Sequence, residues 1–433
     1  MRNICGAGVK MAFYKEWASQ IKGYNHNIRL AFLANIFTQI GFGIFMVIYN
    51  FYIRELGYNE QINGQVISMT ALATAIALVP AGVFSDRVGR RKAMIIGAVA
   101  TGLVLFSRSL IEAQSLLVLT AFATGLATAF FQVSGIPWLA ENSKPEQRVH
   151  LFSIHFAVMT GANVIGNLGG GILTDFFSIF TSDLNSIRFT LLIGSLIFLI
   201  GIIPVFKFNE LRDVRQSRKG KKSISFKTIL NKNENVKIIF LFAFAQLLIG
   251  VGAGLVIPYL NLYFADRFSA SNSAIGFIIS MGQAATAVAM IIGPMVVRKF
   301  GEVKAVVILQ LSSLPFLLMT AYTESLWLAA IGFLFRQALM NAGNPIQMSL
   351  MMSKVGDSMK GLANSVNQMV FNLGWAIMGP VSTGIVIKYG AYWGYALVFT
   401  ITASLYLVGS VYFFLVFRNY NKTNSAIKTA KTV

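Results

Sequence analysis

Gly64-Gln65-Val66-Ile67-Ser68-Met69-Thr70-Ala71-Leu72-Ala73-Thr74-Ala75-Ile76-Ala77 returns 212 residues later as Gly276-Phe277-Ile278-Ile279-Ser280-Met281-Gly282-Gln283-Ala284-Ala285-Thr286-Ala287-Val288-Ala289. Gly64, Ile67, Ser68, Met69, Ala73, Thr74, Ala75 and Ala77 are identical in the second copy, eight matches in fourteen positions. Self-similarity at a long fixed offset marks a duplicated unit. The match extends outward. Gly41, Gly43, Asn50 and Tyr52 recur at an offset of 211 as Gly252, Gly254, Asn261 and Tyr263, and Gly135-x-Pro137 recurs as Gly343-x-Pro345. The chain therefore reads as two copies of one unit in the same orientation.

The repeat sits in a composition that water does not favour. Of the 433 residues 55% are hydrophobic and 12% charged, about half the charged share of an ordinary soluble domain. This excludes a soluble enzyme of usual make-up, a disordered tail and a disulfide scaffold. Cys5 is the single cysteine and cannot form an internal bridge. Twelve runs reach the roughly 20 apolar residues that a bilayer crossing requires, near 28–54, 62–84, 93–111, 115–139, 149–176, 187–206, 237–264, 272–297, 303–321, 325–350, 360–387 and 391–417. Runs such as 189–206 are apolar all round, unlike the striped helices of soluble proteins. The expected architecture is an all-α membrane protein with twelve transmembrane helices in two pseudo-symmetric six-helix halves. The halves span 28–206 and 237–417, flanked by segments 1–27 and 418–433 and joined by a basic linker at 207–236. Segment 1–27 lacks an apolar h-region and is not read as a signal peptide; Met11 is an alternative start.

The net charge of +20 has a location. Thirty of the 36 lysines and arginines fall in the termini, the central linker and the alternate turns on one side, five fall on the other, and Arg336 is left within a run. The positive-inside rule then places both termini and the linker in the cytoplasm. The excess faces anionic lipid headgroups, and nucleic acid is not an expected partner. Within the linker, Arg212, Arg215, Arg218, Lys219, Lys221 and Lys222 precede Phe226, Ile229 and Leu230, whose spacing suits a short interfacial helix.

Between the second and third runs stands Gly82-Val83-Phe84-Ser85-Asp86-Arg87-Val88-Gly89-Arg90-Arg91-Lys92. The glycines permit a tight turn, and Asp86 can face a helix N-terminus or neighbouring arginines. This ordered pattern resembles the loop motif of the major facilitator superfamily, and the duplicated layout extends that resemblance over nearly the whole chain. The resemblance implies that Gly82, Asp86, Arg87, Gly89, Arg90 and Glu141 act in gating: Asp86 latches onto the start of the eleventh helix in the outward-open state, and Arg90 is held by Glu141. The second copy keeps only Arg298-Lys299-Phe300-Gly301-Glu302-Val303-Lys304, so the latch is expected on one side. The family's antiporter pattern is incompletely met. Gly166-Asn167-Leu168-Gly169-Gly170-Gly171 has its glycines, with Asn167 in place of proline, and Ala121 stands where drug exporters carry an arginine. Gly166, Gly169 and Gly170 also serve close helix packing.

At 100° per residue Asn35, Gln39, Met46 and Asn50 share a face of the first run, and Gln246, Gly250, Ile257 and Asn261 share the equivalent face of the seventh. The resemblance places both around a central cavity, so Asn35, Gln39, Asn50, Gln246 and Asn261 are candidate substrate contacts; interhelical hydrogen bonding is the alternative. Asn163 and Asn167 in the fifth run and Asn364, Asn367, Gln368 and Asn372 in the eleventh add further amides. Arg336 lies in mid-run, where a charge costs at least about 2.5–3.5 kcal/mol. It is read as a counter-charge for substrate, with a structural partner as the alternative. No carboxylate lies at mid-membrane. Glu55 and Asp175 are the nearest proton carriers and read as solvated helix ends, and His155 is a titratable group near the cytoplasmic side.

No phosphate loop, metal-ligand cluster or nucleophile with a base is found, so neither cofactor nor metal is expected and the chain is not read as an enzyme. The sequence supports a secondary transporter of the cytoplasmic membrane, of a compact bacterial kind, that moves a small organic solute by alternating access. A proton-coupled multidrug antiporter and a transport-inactive sensor on the same fold are the alternatives. Expected partners are a small-molecule substrate, a coupling proton or other ion, and membrane lipids, with the chain as a monomer.

Overall fold

The computed structural model of the chain describes residues 24–143, 148–209, 233–355 and 359–418, and every regular element among them is helical. The first half holds α1 (His26–Glu55), α2 (Glu60–Val88), α3 (Arg90–Arg108), α4 (Gln114–Glu141), α5 (Arg148–Ser178) and α6 (Asp183–Ile200, continued by the turn Ile203–Phe206). In the second half α7 runs as Asn233–Val256, tightens to a 3-10 turn at Ile257–Tyr259 and resumes as Leu260–Phe268. There follow α8 (Asn272–Phe300), α9 (Glu302–Tyr322) and α10, which is broken into Leu326–Ala342 and Asn344–Lys354. The last helical stretch, Lys360–Phe417, is two antiparallel rods, α11 (360–389) and α12 (391–417), reversed at Gly390 with φ 75° and ψ 174°.

Twelve rods are thus present among the described residues. Nine stretches are long and apolar enough to cross a membrane by length and composition, and the last, Leu362–Phe417, contains both α11 and α12. The rods outside those stretches are α3, which opens on Arg90, Arg91 and Lys92, and the interrupted α10. Two runs read as continuous are broken where a proline removes a backbone donor: at Pro258 in α7 and at Pro345, in the first turn of the second α10 segment. The linker segment 210–232, with its expected interfacial helix, and the segments 1–23 and 419–433 lie outside the described residues.

Glycine explains why each half packs as it does. A Cβ on Gly43 would fall 2.7 Å from the Asn163 carbonyl of α5, and one on Gly254 would fall 2.7 Å from Trp375 Cα of α11. On the other flank, a Cβ on Gly41 would meet the Gly194 carbonyl of α6 at 2.6 Å, and one on Gly252 would meet the Tyr406 ring of α12 at 2.7 Å. So α1 wedges between α5 and α6, and α7 between α11 and α12, by the same small-residue approach. The turns repeat as well. Gly89 (φ 109°) and Gly301 (φ 78°), 212 residues apart, end α2 and α8, and their amides donate to Ser85 O at 3.1 Å and Val297 O at 2.8 Å. These two turns and the start of α1 lie at one end of the bundle, the basic end; the α1–α2 and α3–α4 turns lie at the opposite end.

The fourteen-residue repeat is where the halves meet. Gly64 lets α2 approach α11, where a Cβ would lie 2.9 Å from Gly379 O, and Gly276 lets α8 approach α5, where a Cβ would lie 2.6 Å from Asn167 O. One turn along, the Ser68 hydroxyl donates to Ala376 O and the Ser280 hydroxyl to Val164 O at 2.9 Å. Both donors and both acceptors are 212 residues apart, so the two bonds are one bond applied twice. Thr74 and Thr286 face their own halves, donating to Gly125 O at 3.3 Å and Gln337 O at 3.4 Å.

Replacing Gly276 by valine forces its side chain into the α5 backbone while leaving each half's own packing intact. The expected result is normal membrane insertion with longer distances between spin labels at Asn59 and Ser271. Unchanged distance distributions would contradict this assignment of the interface.

A sealed end and an amide-lined cavity

At the opposite end α1 and α7 cross, and their polar side chains bond each other. Asn50 Nδ2 donates to Pro258 O at 2.7 Å and to Asn261 Oδ1 at 2.9 Å; Asn261 Nδ2 donates to Val47 O at 2.9 Å. The two carbonyls and the two amides are each 211 residues apart, so each helix offers the other the same pair of groups. Both side chains are buried, at 6% and 2% exposure. One turn further out, Arg54 Nη1 meets Asp266 Oδ1 at 2.7 Å while Nη2 reaches Glu60 Oε1 at 2.7 Å. Tyr395 Oη donates to Asp266 at 2.9 Å and Asn63 Nδ2 to Glu60 at 3.0 Å. Asp175 on α5 receives Asn272 Nδ2 at 2.9 Å and the Ser273 amide at 2.7 Å, gripping the N-terminus of α8 where a carboxylate is favoured. These cross-half bonds, together with the two serine bonds, lie between mid-bundle and this end.

Nearer the basic end the second half holds a half-open cavity of about 240 Å³ between α7, α10, α11 and α12. Five carboxamides line it: Gln246, Asn344, Gln347, Asn367 and Gln368. The sequence reading missed the α10 pair, because Arg336 was the one candidate contact it singled out in that run.

The candidate substrate residues are dispersed. Gln246 lines the cavity. Asn35 Nδ2 lies 3.2 Å from His155 Nδ1, linking α1 to α5 inside the first half, and Gln39 is half-buried nearby. Asn50 and Asn261 occupy the seal. Arg336 is 3% exposed, with Nη1 on Gln337 Oε1 at 2.8 Å and Nη2 on Tyr406 Oη at 2.7 Å, so in this conformation it ties α10 to α12.

Arg108, read from sequence as a loop charge, is 5% exposed: its guanidinium carbon lies 4.0 Å over the Tyr49 ring, and Nη1 donates to Thr124 Oγ1 at 3.2 Å. A cation over an aromatic face is stabilised without a carboxylate, which charge patterning does not reveal. Asp175, read as a solvated end, instead bridges the halves.

In the motif loop Arg90 Nε is 2.8 Å from Glu141 Oε1, joining α3 to α4. Arg91 Nη2 donates to Phe206 O at 2.6 Å, Arg87 is exposed and Gly82 faces open space. The Asp86 side chain lies outside what is described. Of the glycine run, Gly166 packs against α1 at Gly43 and Gly170 at Val47 and Ile44, while Gly169 meets nothing.

A sequence model of the Major Facilitator Superfamily matches residues 31–244 and again 242–432, once for each half. The chain is 24% identical to Multidrug resistance protein MdtG of Dickeya zeae (strain Ech586) over 91% of its length and 95% of the relative's. It is 25% identical to the protein of that name from Proteus mirabilis (strain HI4320), over 91% and 96%. Among solved structures, a bacterial homologue of the human lysosomal transporter Spinster, inward-facing and unoccupied, aligns with TM-score 0.73 at 15% identity over 92% of this chain and 97% of that one. The nucleoside transporter NupG aligns at 0.71 and 16%, over 91% and 99%.

The Arg54–Asp266 pair predicts a charge-exchange result. In a Cys5→Ser background, Arg54→Asp or Asp266→Arg alone should raise the reactivity of a cysteine at Ile257 toward an impermeant maleimide roughly three- to tenfold. Combining the two should return it toward the parent. Additive effects in the double variant would refute a direct pairing.

Proposed function

Because the chain belongs to the major facilitator superfamily and is a multi-pass secondary transporter, we propose that the basic end faces the cytoplasm and that the structure is the inward-facing state of its cycle. The single observation that carries this reading is the network of cross-half bonds that closes the opposite end. With one end bonded and a cavity toward the other, a solute in the cavity communicates with one side of the membrane only. The charge asymmetry of 30 basic residues against five supports the orientation, and the cytoplasmic membrane is the site it implies.

In this reading the α1–α7 crossing, Arg54–Asp266 and Asp175 form the outer gate. The 82–92 segment forms part of the inner one, with Arg90 clamped by Glu141 and Asp86 in the last turn of α2. Rocking of one half on the other replaces one set of contacts by the other. Gln246 with the α10 and α11 amides contacts the solute; Arg336 serves it indirectly by holding α10 against α12. The names of the curated relatives favour multidrug export as a second reading, against which stand Asn167 and Ala121 at the positions where drug exporters carry proline and arginine.

Purified protein in sealed vesicles should accumulate labelled solute in counterflow, and Asp86→Asn should slow that exchange several-fold while leaving insertion unchanged. Saturable binding without movement across the vesicle wall would instead identify a sensor. An unaltered rate in Asp86→Asn would remove the loop from the gate.

A further inference from the structure

Among the described residues, the side chains that line the cavity do not include an ionisable one, and their chemistry specifies a kind of solute. The five carboxamides are graded by depth: Asn344 and Gln368 are exposed, Gln246 and Asn367 half-buried, and Gln347 buried at 9% exposure. Gln347 Nε2 has no hydrogen-bond partner among the described residues. A buried amide donor without a partner is destabilising by about 1–3 kcal/mol, so a rotation of the Gln347 amide that offers Nε2 to an acceptor in the cavity is favoured. Among the described residues, buried amide atoms without a partner also occur at Asn63 Oδ1, Asn167 Oδ1, Gln310 Nε2 and Asn364 Oδ1; Gln347 differs from these in lining the cavity.

The remaining wall is apolar. Phe242, Phe371 and Phe413 present rings, and Met348 and Met351 present thioethers. Rings and thioethers suit a flat, polarisable partner. A carboxamide offers a donor and an acceptor side by side and pairs with a planar edge that offers the complement. An anion would require a basic side chain at the wall; the rings alone could hold a lipophilic cation, but such a cation would leave the five carboxamides without hydrogen-bonding partners.

Resting on the transport reading above, we propose that this cavity recognises an uncharged, planar heterocycle that carries adjacent hydrogen-bond donor and acceptor groups, a cyclic amide or ring carboxamide, with Gln347 as the buried contact. The ring lies among Phe242, Phe371 and Phe413, and the exposed amides of Asn344 and Gln368 accept and release the solute at the mouth.

The test is binding to the purified full chain by calorimetry and thermal shift, with uracil, hypoxanthine and nicotinamide as neutral probes, tetraphenylphosphonium as the lipophilic cation and benzoate as the anion. At least one neutral probe should bind and stabilise the protein, and the two charged probes should not. Gln347→Leu should weaken that binding about tenfold. Asn367→Leu, on a half-exposed face of α11, provides a second variant with the same expected direction, and the melting temperature without probe reports folding of both. Failure of all three neutral probes, binding of tetraphenylphosphonium in their place, or neutral binding indifferent to both substitutions would overturn the proposal. Counterflow in vesicles separates the two claims. Exchange of tetraphenylphosphonium but not of a neutral probe would sink the solute class while leaving transport standing; amide-dependent binding of a neutral probe without exchange would do the reverse.

Discussion

In hydrocarbon a polar atom finds its partner within the protein or is left without one, and the crossing of α1 with α7 meets that constraint with a reciprocal exchange. Asn50 satisfies the Pro258 carbonyl, Asn261 satisfies the Val47 carbonyl, and the two amides bond each other. The exchange works only where the helices cross at this register, so it fixes how the halves lean. The serine pair at α2–α11 and α5–α8 then follows from the same lean, as do the glycines that admit those backbones. Because buried groups of this kind lose a full hydrogen bond when parted, small displacements are penalised, and the halves favour discrete arrangements over a continuum.

Electrostatics divides the two ends by function. At the opposite end, basic side chains are occupied within the protein: Arg54 by two carboxylates, Arg188 by Glu112, and Arg267 by the Ala321, Thr323 and Tyr392 carbonyls. Arg54 joins the halves and holds that end closed, while Arg188 and Arg267 each tie helices within one half. The mid-bundle Arg336 joins two helices of one half. The cavity is lined instead by neutral amides, so it discriminates by direction and spacing of donors and acceptors, and its affinity depends little on ionic strength.

The duplication, the helical class and the two-sided charge distribution were legible because they depend on composition and period, which survive without knowledge of contacts. The eight identities between 64–77 and 276–289 even marked the interface itself, although their meaning as a cross-half contact needed coordinates. Individual sites were less legible. Asn261 shares a face with Gln246 and Asn50 shares one with Asn35 and Gln39, and periodicity alone does not distinguish an amide that meets the other half from one that meets a solute. Arg108 lay at the end of an apolar run and was counted with the charges of the outer side, because a ring and a hydroxyl leave no charge signature. Asn344 and Gln347 stand in the same run as Arg336, and a neutral amide carries no signal comparable to a charge in mid-run.

The Arg54–Asp266 pair departs from the symmetry around it. At the offset of 211 that relates α1 to α7, Arg54 matches Ala265 and Asp266 matches Glu55, so the pair is one residue out of register. Asn50 and Asn261 stand at matching places and can face each other, since an amide both donates and accepts. In a dimer of identical subunits an off-register ion pair would occur twice about the two-fold axis. With alanine at 265 it occurs once, so one half carries the cation and the other the anion of a single lock.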